Sequence, residues 1–440
     1  MKLNLIDNEK TVVSIIFIIG FIIRLMYLNT LEISGPIRGD ASFYAQYANN
    51  MIEYGVFSKD RSVTPRPDSY WAPGYPAFLA MCMLVAKLIS IHFYYVVLGF
   101  QVVIGGLIGS LTYILSRSIF SVSWTILVCG LTILSPHLIT HGGYVLSETL
   151  FSFLLLSSIC LYIKVSTSKY SVILNGVSGF IFGLAYLTNP VSLVAPILIF
   201  IRSIYGEVQT LVNRKSPYVF LLSFLLVVAL WNIRNLVSLE DTGPSSYDRA
   251  FENLIIGSHS DFHKILRANP KDKNNPYELD ISKYRDNHYD FYRELASRII
   301  ENPSSYAKWY FLRKPMELWG WDILVGQGDV YVFRVESSLY YKSKWAIASL
   351  VIMKQLHYWL FLLAIMGFFF MLLEKDGNSK FAMQTIYIST ISISIIYVIL
   401  HSDARYSVAL RPEMYICAVY SAHNIFKFIR MLILKNKKIL

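Results

Sequence analysis

Residues 75 to 91, YPAFLAMCMLVAKLISI, decide how this chain is threaded through a membrane, because one crossing more or fewer here reverses the side of every later loop. A hydrocarbon core of about 30 Å takes about 20 apolar residues in a helix. After Pro76 only Ala77 to Ile91 remain, about 22 Å at 1.5 Å per residue, and Lys87 lies inside them. We read the stretch as an interfacial helix rather than a crossing.

Ten longer apolar runs flank it, at residues 11 to 29, 93 to 115, 119 to 137, 147 to 165, 172 to 188, 190 to 206, 217 to 235, 348 to 373, 381 to 401 and 407 to 426. With ten crossings and the N-terminus inside, the short inner loops hold Arg117, Lys164, Lys169, Arg202, Arg214, Lys215, Lys375 and Lys380. The tail adds Lys427, Arg430, Lys435, Lys437 and Lys438, whereas the short outer loops hold only Arg405. That distribution obeys the positive-inside bias, and an eleventh crossing at 75 to 91 would reverse it. The first run has no small-residue cleavage site after it, and Lys2 and Lys10 before it mark an uncleaved signal-anchor.

Composition agrees. Of 440 residues, 55% are hydrophobic and 16% charged, and the mean hydropathy is +0.46. A soluble protein carries charge on about a quarter of its residues, so an ordinary cytosolic enzyme is excluded. The net charge of +11 sits mostly beside apolar runs as a topology signal, and we expect no nucleic-acid partner. Cys82, Cys129, Cys160 and Cys417 lie inside apolar runs without paired or metal-type spacing, so free thiols are expected. The predicted fold is an all-α polytopic membrane protein of about ten transmembrane helices. It divides into a transmembrane catalytic module at 1 to 235 with its first outer loop at 30 to 92, an extracytoplasmic subdomain at 236 to 347, and terminal transmembrane helices at 348 to 440. Within the subdomain, 236 to 345 holds 15 Lys and Arg against 16 Asp and Glu. Residues 269 to 292, rich in Asn, Lys and Tyr, read as a flexible loop.

Ionisable groups at span ends are the residues that need a reason in such a chain, and here they gather on the outer side. Asp40 precedes AlaSerPheTyrAlaGlnTyrAla and reads either as a helix cap or as a carboxylate set at the membrane surface to take a proton from a hydroxyl. Glu148 falls in the first turn of the fourth span, where the helix dipole favours an acid with or without chemistry. Arg234 ends the seventh span, Arg66 lies in the first outer loop, and His401, Asp403, Arg405 and Tyr406 follow the ninth. Such outward cations suit a lipid phosphate held by charge-assisted hydrogen bonds, the bland alternative being an internal Asp403 with Arg405 pair. The aromatic, proline-rich TyrTrpAlaProGlyTyrPro at 70 to 76 serves a membrane boundary or a sugar face equally. His137 and His141 are spaced i, i+4, but Leu138 stands where a zinc-protease signature needs Glu, so an aqueous interfacial role is expected and no metal site. Arg24, near the outer end of the first span, is expected to snorkel.

Taken in order, IleArgLeu (23 to 25), GlyAspAlaSerPheTyr (39 to 44), AlaProGlyTyrPro (72 to 76), LeuSerGluThrLeu (146 to 150), GlyLeuAlaTyrLeuThrAsnPro (183 to 190), TrpAsnIleArgAsn (231 to 235) and AspAlaArgTyr (403 to 406) span nearly the whole chain. This set resembles the polytopic glycosyltransferases of the GT-C superfamily, particularly the branch with the lipid A aminoarabinose transferase and the protein O-mannosyltransferases. The resemblance implies a polyprenyl-phosphate sugar donor, an active site facing the periplasm or exterior, and a first-loop Asp, here Asp40, as leading catalytic residue with Glu148 assisting. Many members carry a paired acid where this chain has Ala41, and Arg where it has Asn189. The expected phosphate ligands are Arg405, Arg234 and Arg66, and the expected substrate contacts Tyr44, Tyr75, Tyr406 and His401. No cofactor is required, while a role for a divalent cation stays open. The acceptor is a glycan, lipid or protein of the cell envelope, such as lipopolysaccharide, and the location a bacterial inner membrane with both termini cytoplasmic. Two other readings are an O-antigen polymerase or ligase using a lipid-diphosphate donor, and a lipid-sugar transporter. The early Asp40 loop argues against the first, and the scarcity of midplane charges against the second.

Overall fold

The computed structural model describes residues 2–165, 171–205, 215–239, 244–269 and 274–436. Lys169, Arg214, Lys437 and Lys438 of the positive-inside argument lie outside them, as do the side chains of Lys2 and Lys435. Among the described residues seven helices are long and apolar enough to cross a membrane: Glu9–Leu28, Phe93–Ser116, Ser171–Thr188, Ser216–Ser238, Lys344–Leu373, Gly377–Ile399 and Ala404–Leu434. Two expected crossings differ, and a third, at 147 to 165, is helical up to the edge of the described residues. The run at 119 to 137 is broken into Val122–Ile133 and Pro136–His141, because Pro136 lacks the amide proton that an unbroken helix needs there. The run at 190 to 206 forms the shorter helix Pro190–Tyr205, which opens after Asn189 with the 3-10 turn Pro190–Leu193. Glu148–Val165 runs into the undescribed residues 166–170.

The deciding stretch folds as Gly74–Ile89, sixteen residues packed on the helices Asp40–Glu53 and Phe93–Ser116, with Leu88 and Ile89 exposed. Small residues set the closest helix contacts. Gly179 lies against the Phe220 backbone and Gly183 against Val227, so Ser171–Thr188 and Ser216–Ser238 approach as small-residue faces permit in a bilayer.

The chain is not purely helical. Glu32–Ile33 (β1) pairs antiparallel with Val335–Ser337 (β2), which ties the start of the first outer loop to the end of the second outer segment. That second segment divides in its packing: Phe251, Ile255, Phe262, Tyr277, Ile281, Tyr284 and Phe291 form a small core of their own, whereas Leu318, Trp319, Trp321 and Val335 join the main core. The expected flexible loop at 269 to 292 instead holds the helix Pro276–Tyr284 and the start of His288–Glu301, capped by Asn275 and Asn287; residues 270–273 lie outside the described residues. Its Tyr277 and Tyr284 are buried, and this apolar packing overrides the polar composition.

Candidate active site

Gly39 adopts φ +55 and ends the approach to the helix Asp40–Glu53, a left-handed conformation that suits glycine. Gly39, not Asp40, is the cap residue, and no side chain caps this helix. Freed from that task, Asp40 points at Arg405, whose Nη2 donates to Asp40 Oδ2 at 2.6 Å. The same guanidinium binds Glu148 Oε1 through Nε at 3.0 Å. Glu148 begins the helix Glu148–Val165, and its Oε2 is buried with no hydrogen-bond partner among the described residues. One arginine therefore holds two acids that lie 108 and 257 or more residues from each other and from it in sequence.

Arg405 is placed by Asp403. The side-chain pair between them, the bland alternative, does not form; Asp403 caps the short helix Ala404–Ser407, accepting from Arg405 N at 2.8 Å. Its other oxygen accepts from Leu324 N at 3.1 Å and Val325 N at 3.0 Å, so the second outer segment locks the loop that carries the arginine.

Two cavities meet at this cluster. One, about 240 Å³, is lined by Tyr44, Glu148, Asn189, Tyr397, Arg405 and Tyr406, among others, and extends to Ile396 and Leu400 on the apolar side. The other, about 230 Å³, contains Asp40, Glu252, Ile256 and Asp403. Tyr70, Trp71, Arg249, Asn253, His401, Arg405 and Tyr406 line both. Tyr406 stacks on Tyr397 at 4.9 Å, and the Tyr397 hydroxyl accepts from Asn189 Nδ2 at 2.6 Å. Burial pushes the Asp40 carboxyl up, but the cations Arg405 and Arg249 outweigh it and hold Asp40 below the usual carboxylate range.

Arg249 was not singled out from the sequence. It projects from the helix Ser246–Ser258, its Cζ 3.2 Å from the Trp71 ring centroid. Tyr70 donates its hydroxyl proton to Glu252 of the same helix, and Ser69 N donates to Pro244 O at 3.1 Å. These contacts dock the outer helix over the first loop. The legible signal was the capping box formed by Ser245 and Asp248, which marks the helix but not where it packs.

Arg234 and Arg66 are not brought to the cluster. Arg234 donates to the carbonyls of Asp68 (2.9 Å) and Phe57 (3.1 Å), bracing the first outer loop. Arg66 sits on that loop's exposed surface, beyond the residues lining either cavity. Of the expected substrate contacts, Tyr44, His401 and Tyr406 line a cavity, whereas Tyr75 is buried behind Tyr44 and donates to Gln101 Oε1 at 3.3 Å. His137 and His141 are buried rather than aqueous: His137 Nε2 bonds Trp321 O at 2.8 Å and His141 Nδ1 bonds His137 O at 2.9 Å. Arg24 does not snorkel; it is buried beside Gly105, where no side chain stands in its way, and donates to Gly20 O at 3.1 Å.

No family model and no curated protein matches the chain. Among solved structures, it is similar to the archaeal oligosaccharyltransferase AglB from Archaeoglobus fulgidus in complex with an inhibitory peptide and a dolichol-phosphate, at 11% identity and TM-score 0.48, covering 98% of this chain and 52% of that one. The Archaeoglobus fulgidus oligosaccharyltransferase in the apo form gives 12% identity and TM-score 0.47 over the same shares, 98% and 52%. Its complex with Zn and sulfate gives 11% and 0.44, covering 94% of this chain and 50% of that one. The chain spans about half the length of these proteins.

Proposed function

We propose that the chain is a membrane glycosyltransferase of the GT-C type, which moves a sugar from a polyprenyl-phosphate donor to a hydroxyl of a cell-envelope glycan, lipid or protein on the extracytoplasmic face of a bacterial inner membrane. The observation that carries this reading is the Asp40, Arg405 and Glu148 cluster at the junction of two cavities, one reaching apolar surface and one polar.

A glycosyl phosphate already has a good leaving group, so the protein must align an acceptor hydroxyl, take its proton and stabilise the departing phosphate. The donor enters from the side of Ile396 and Leu400, and its phosphate takes hydrogen bonds from Arg405 and Arg249. Drawing Arg405 toward a phosphate weakens its hold on Asp40, and the carboxylate becomes a stronger base as the donor binds. The acceptor enters by the cavity that contains Glu252 and hands its proton to Asp40. As the acceptor oxygen bonds the anomeric carbon, the carbon to phosphate-oxygen bond breaks and polyprenyl phosphate leaves, with inversion. The unpaired Oε2 of Glu148 orients a substrate hydroxyl. Tyr44, Tyr406 and His401 shape the sugar pocket, and the outer segment 236 to 347 selects the acceptor.

The test is transfer in vesicles supplied with polyprenyl-monophosphate or polyprenyl-diphosphate sugars. Transfer from a monophosphate donor that disappears in Asp40→Asn while donor binding persists is the expected result. Turnover unchanged in Asp40→Asn removes Asp40 from the mechanism, and turnover with diphosphate donors alone favours the polymerase or ligase.

A further inference from the structure

Arg202 lies in the last turn of the helix Val194–Tyr205 and lines neither polar cavity. Its Nε donates to Gln384 Oε1 at 2.8 Å, and its Nη2 reaches the same oxygen. The guanidinium covers the Phe381 ring, its Cζ 4.6 Å from the centroid. Among the described residues Nη1 has no hydrogen-bond partner, and the side chain that accepts from Arg202 is a neutral amide. Among the described residues no carboxylate pairs with Arg202, so the guanidinium is open to an anion from outside them.

Beside it runs an open apolar groove of about 460 Å³. Val194, Leu198 and Arg202, spaced i, i+4, i+8, form one wall on one face of their helix. Gln384, Ile391 and Ile395 contribute the facing wall from Gly377–Ile399. From Gln384 to Ile396 the groove follows about 18 Å of helix, a little over half of a hydrocarbon core about 30 Å thick; its far end shares Ile396 with the first polar cavity, while Arg202 and Gln384 stand at the opposite end. Tyr397, at the polar cavity, stands thirteen residues from Gln384, about 20 Å along the helix. Arg202 therefore faces the leaflet opposite the candidate active site, beyond reach of a phosphate held at Arg405.

We propose that this groove binds one anionic glycerophospholipid of that leaflet, an acyl chain lying between the two helices and the headgroup phosphate accepting from Arg202. Charge decides the occupant: the walls accept any hydrocarbon chain, but a lone arginine at headgroup depth selects a phosphate, as basic pockets between membrane helices do.

The experiment is native mass spectrometry of the full chain released from mixed detergent micelles containing phosphatidylglycerol, phosphatidylcholine and a polyprenyl phosphate. The wild type is expected to retain one phosphatidylglycerol in preference to phosphatidylcholine, and Arg202→Gln to weaken that retention about tenfold, the loss of a charge-assisted hydrogen bond. Gln384→Glu places a carboxylate against Arg202 without deleting it, so this variant keeps its fold and is expected to lose the lipid as well. Leu198→Trp fills the groove and leaves the cation in place, with the same expected loss. Equal phosphatidylglycerol retention by wild type, Gln384→Glu and Leu198→Trp overturns the proposal. Replacement of phosphatidylglycerol by polyprenyl phosphate at equal concentration also overturns it, giving the groove to an isoprenoid chain. Release by millimolar inorganic phosphate alone overturns it too, because the site then reads an ion and not a lipid.

Discussion

Arg405 Nη2 lies 2.6 Å from Asp40 Oδ2 although 365 residues of chain separate them. The bond joins the segment after the first apolar helix to the loop after Gly377–Ile399, and the arginine side chain is 15% exposed. An ion pair so placed is screened weakly by salt and holds its geometry.

Replacing Asp40 by Asn keeps the shape and removes the base. We expect kcat for transfer to fall about 10² to 10⁴ fold, with the KM for a polyprenyl-phosphate donor changed little. Glu148 still pairs with Arg405 in this variant, so the thermal unfolding midpoint in detergent should stay close to that of the wild type. Steady-state kinetics beside a melting curve check both halves.

Arg249 and Arg405 together hold Asp40 below its ordinary value of 3.8. A base with a depressed pKa remains charged as pH falls until that lowered value is reached, so the acid limb of kcat/KM should lie below pH 3.8 as far as Asp40 sets it. Arg249→Ala removes one of the two cations and should move the limb upward, while Arg249→Lys restores it in part. A pH-rate profile that stays in place in Arg249→Ala counts against the contact.

Sidedness has its own check. Val63 is 83% exposed in the first outer loop, Lys375 is exposed in the loop after Lys344–Leu373, and the four native cysteines are buried. A membrane-impermeant maleimide added to intact cells with a permeabilised outer envelope should label Val63→Cys and leave Lys375→Cys unlabelled. The reverse pattern would put Asp40 in the cytosol.

Lys314, at the start of Lys314–Leu318, is buried, and its Nζ donates to Gly257 O (3.0 Å), Leu400 O (3.0 Å) and Ile399 O (3.3 Å). Burial lowers its pKa to about 7, against a smaller opposing pull from Glu317. Between that value and the unfolded value of 10.5 the unfolded chain binds the extra proton, so stability should rise with pH across this window. Lys314→Met should flatten the rise, as read from urea or thermal unfolding at pH 7 and pH 10.

Glu148 and Arg405 were legible because each stands at the end of an apolar run, where a charge is costly enough to need a partner, and Asp40 because it opens a helix in the first loop and matches the Asp that the resemblance implies there. Which partner each takes was not legible. Arg234 satisfies the same span-end criterion, yet carbonyls at Phe57 and Asp68 occupy it, a contact set by how the first loop wraps and not by any local pattern. Arg249 escaped notice for the opposite reason. It lies in a charge-balanced outer segment where an arginine needs no explanation, and only the docking of its helix on Trp71 makes it part of the site. His137, His141 and Arg24 were read as wet because neighbouring sequence is polar or near a span end, but the Trp321 loop and the glycine face at Gly105 cover them. The ten apolar runs were plain, while the break before Pro136 shows that a run of suitable length need not be one continuous helix.

The pairing of Glu32–Ile33 with Val335–Ser337 and of Asp40 with Arg405 joins the first outer residues made to some of the last. A ribosome adding roughly 5 to 20 residues per second needs roughly 20 to 70 s to travel from one member of the ion pair to the other. Throughout that interval the nascent chain carries the Asp40 carboxylate without its guanidinium, so the cluster closes only once Arg405 has been made.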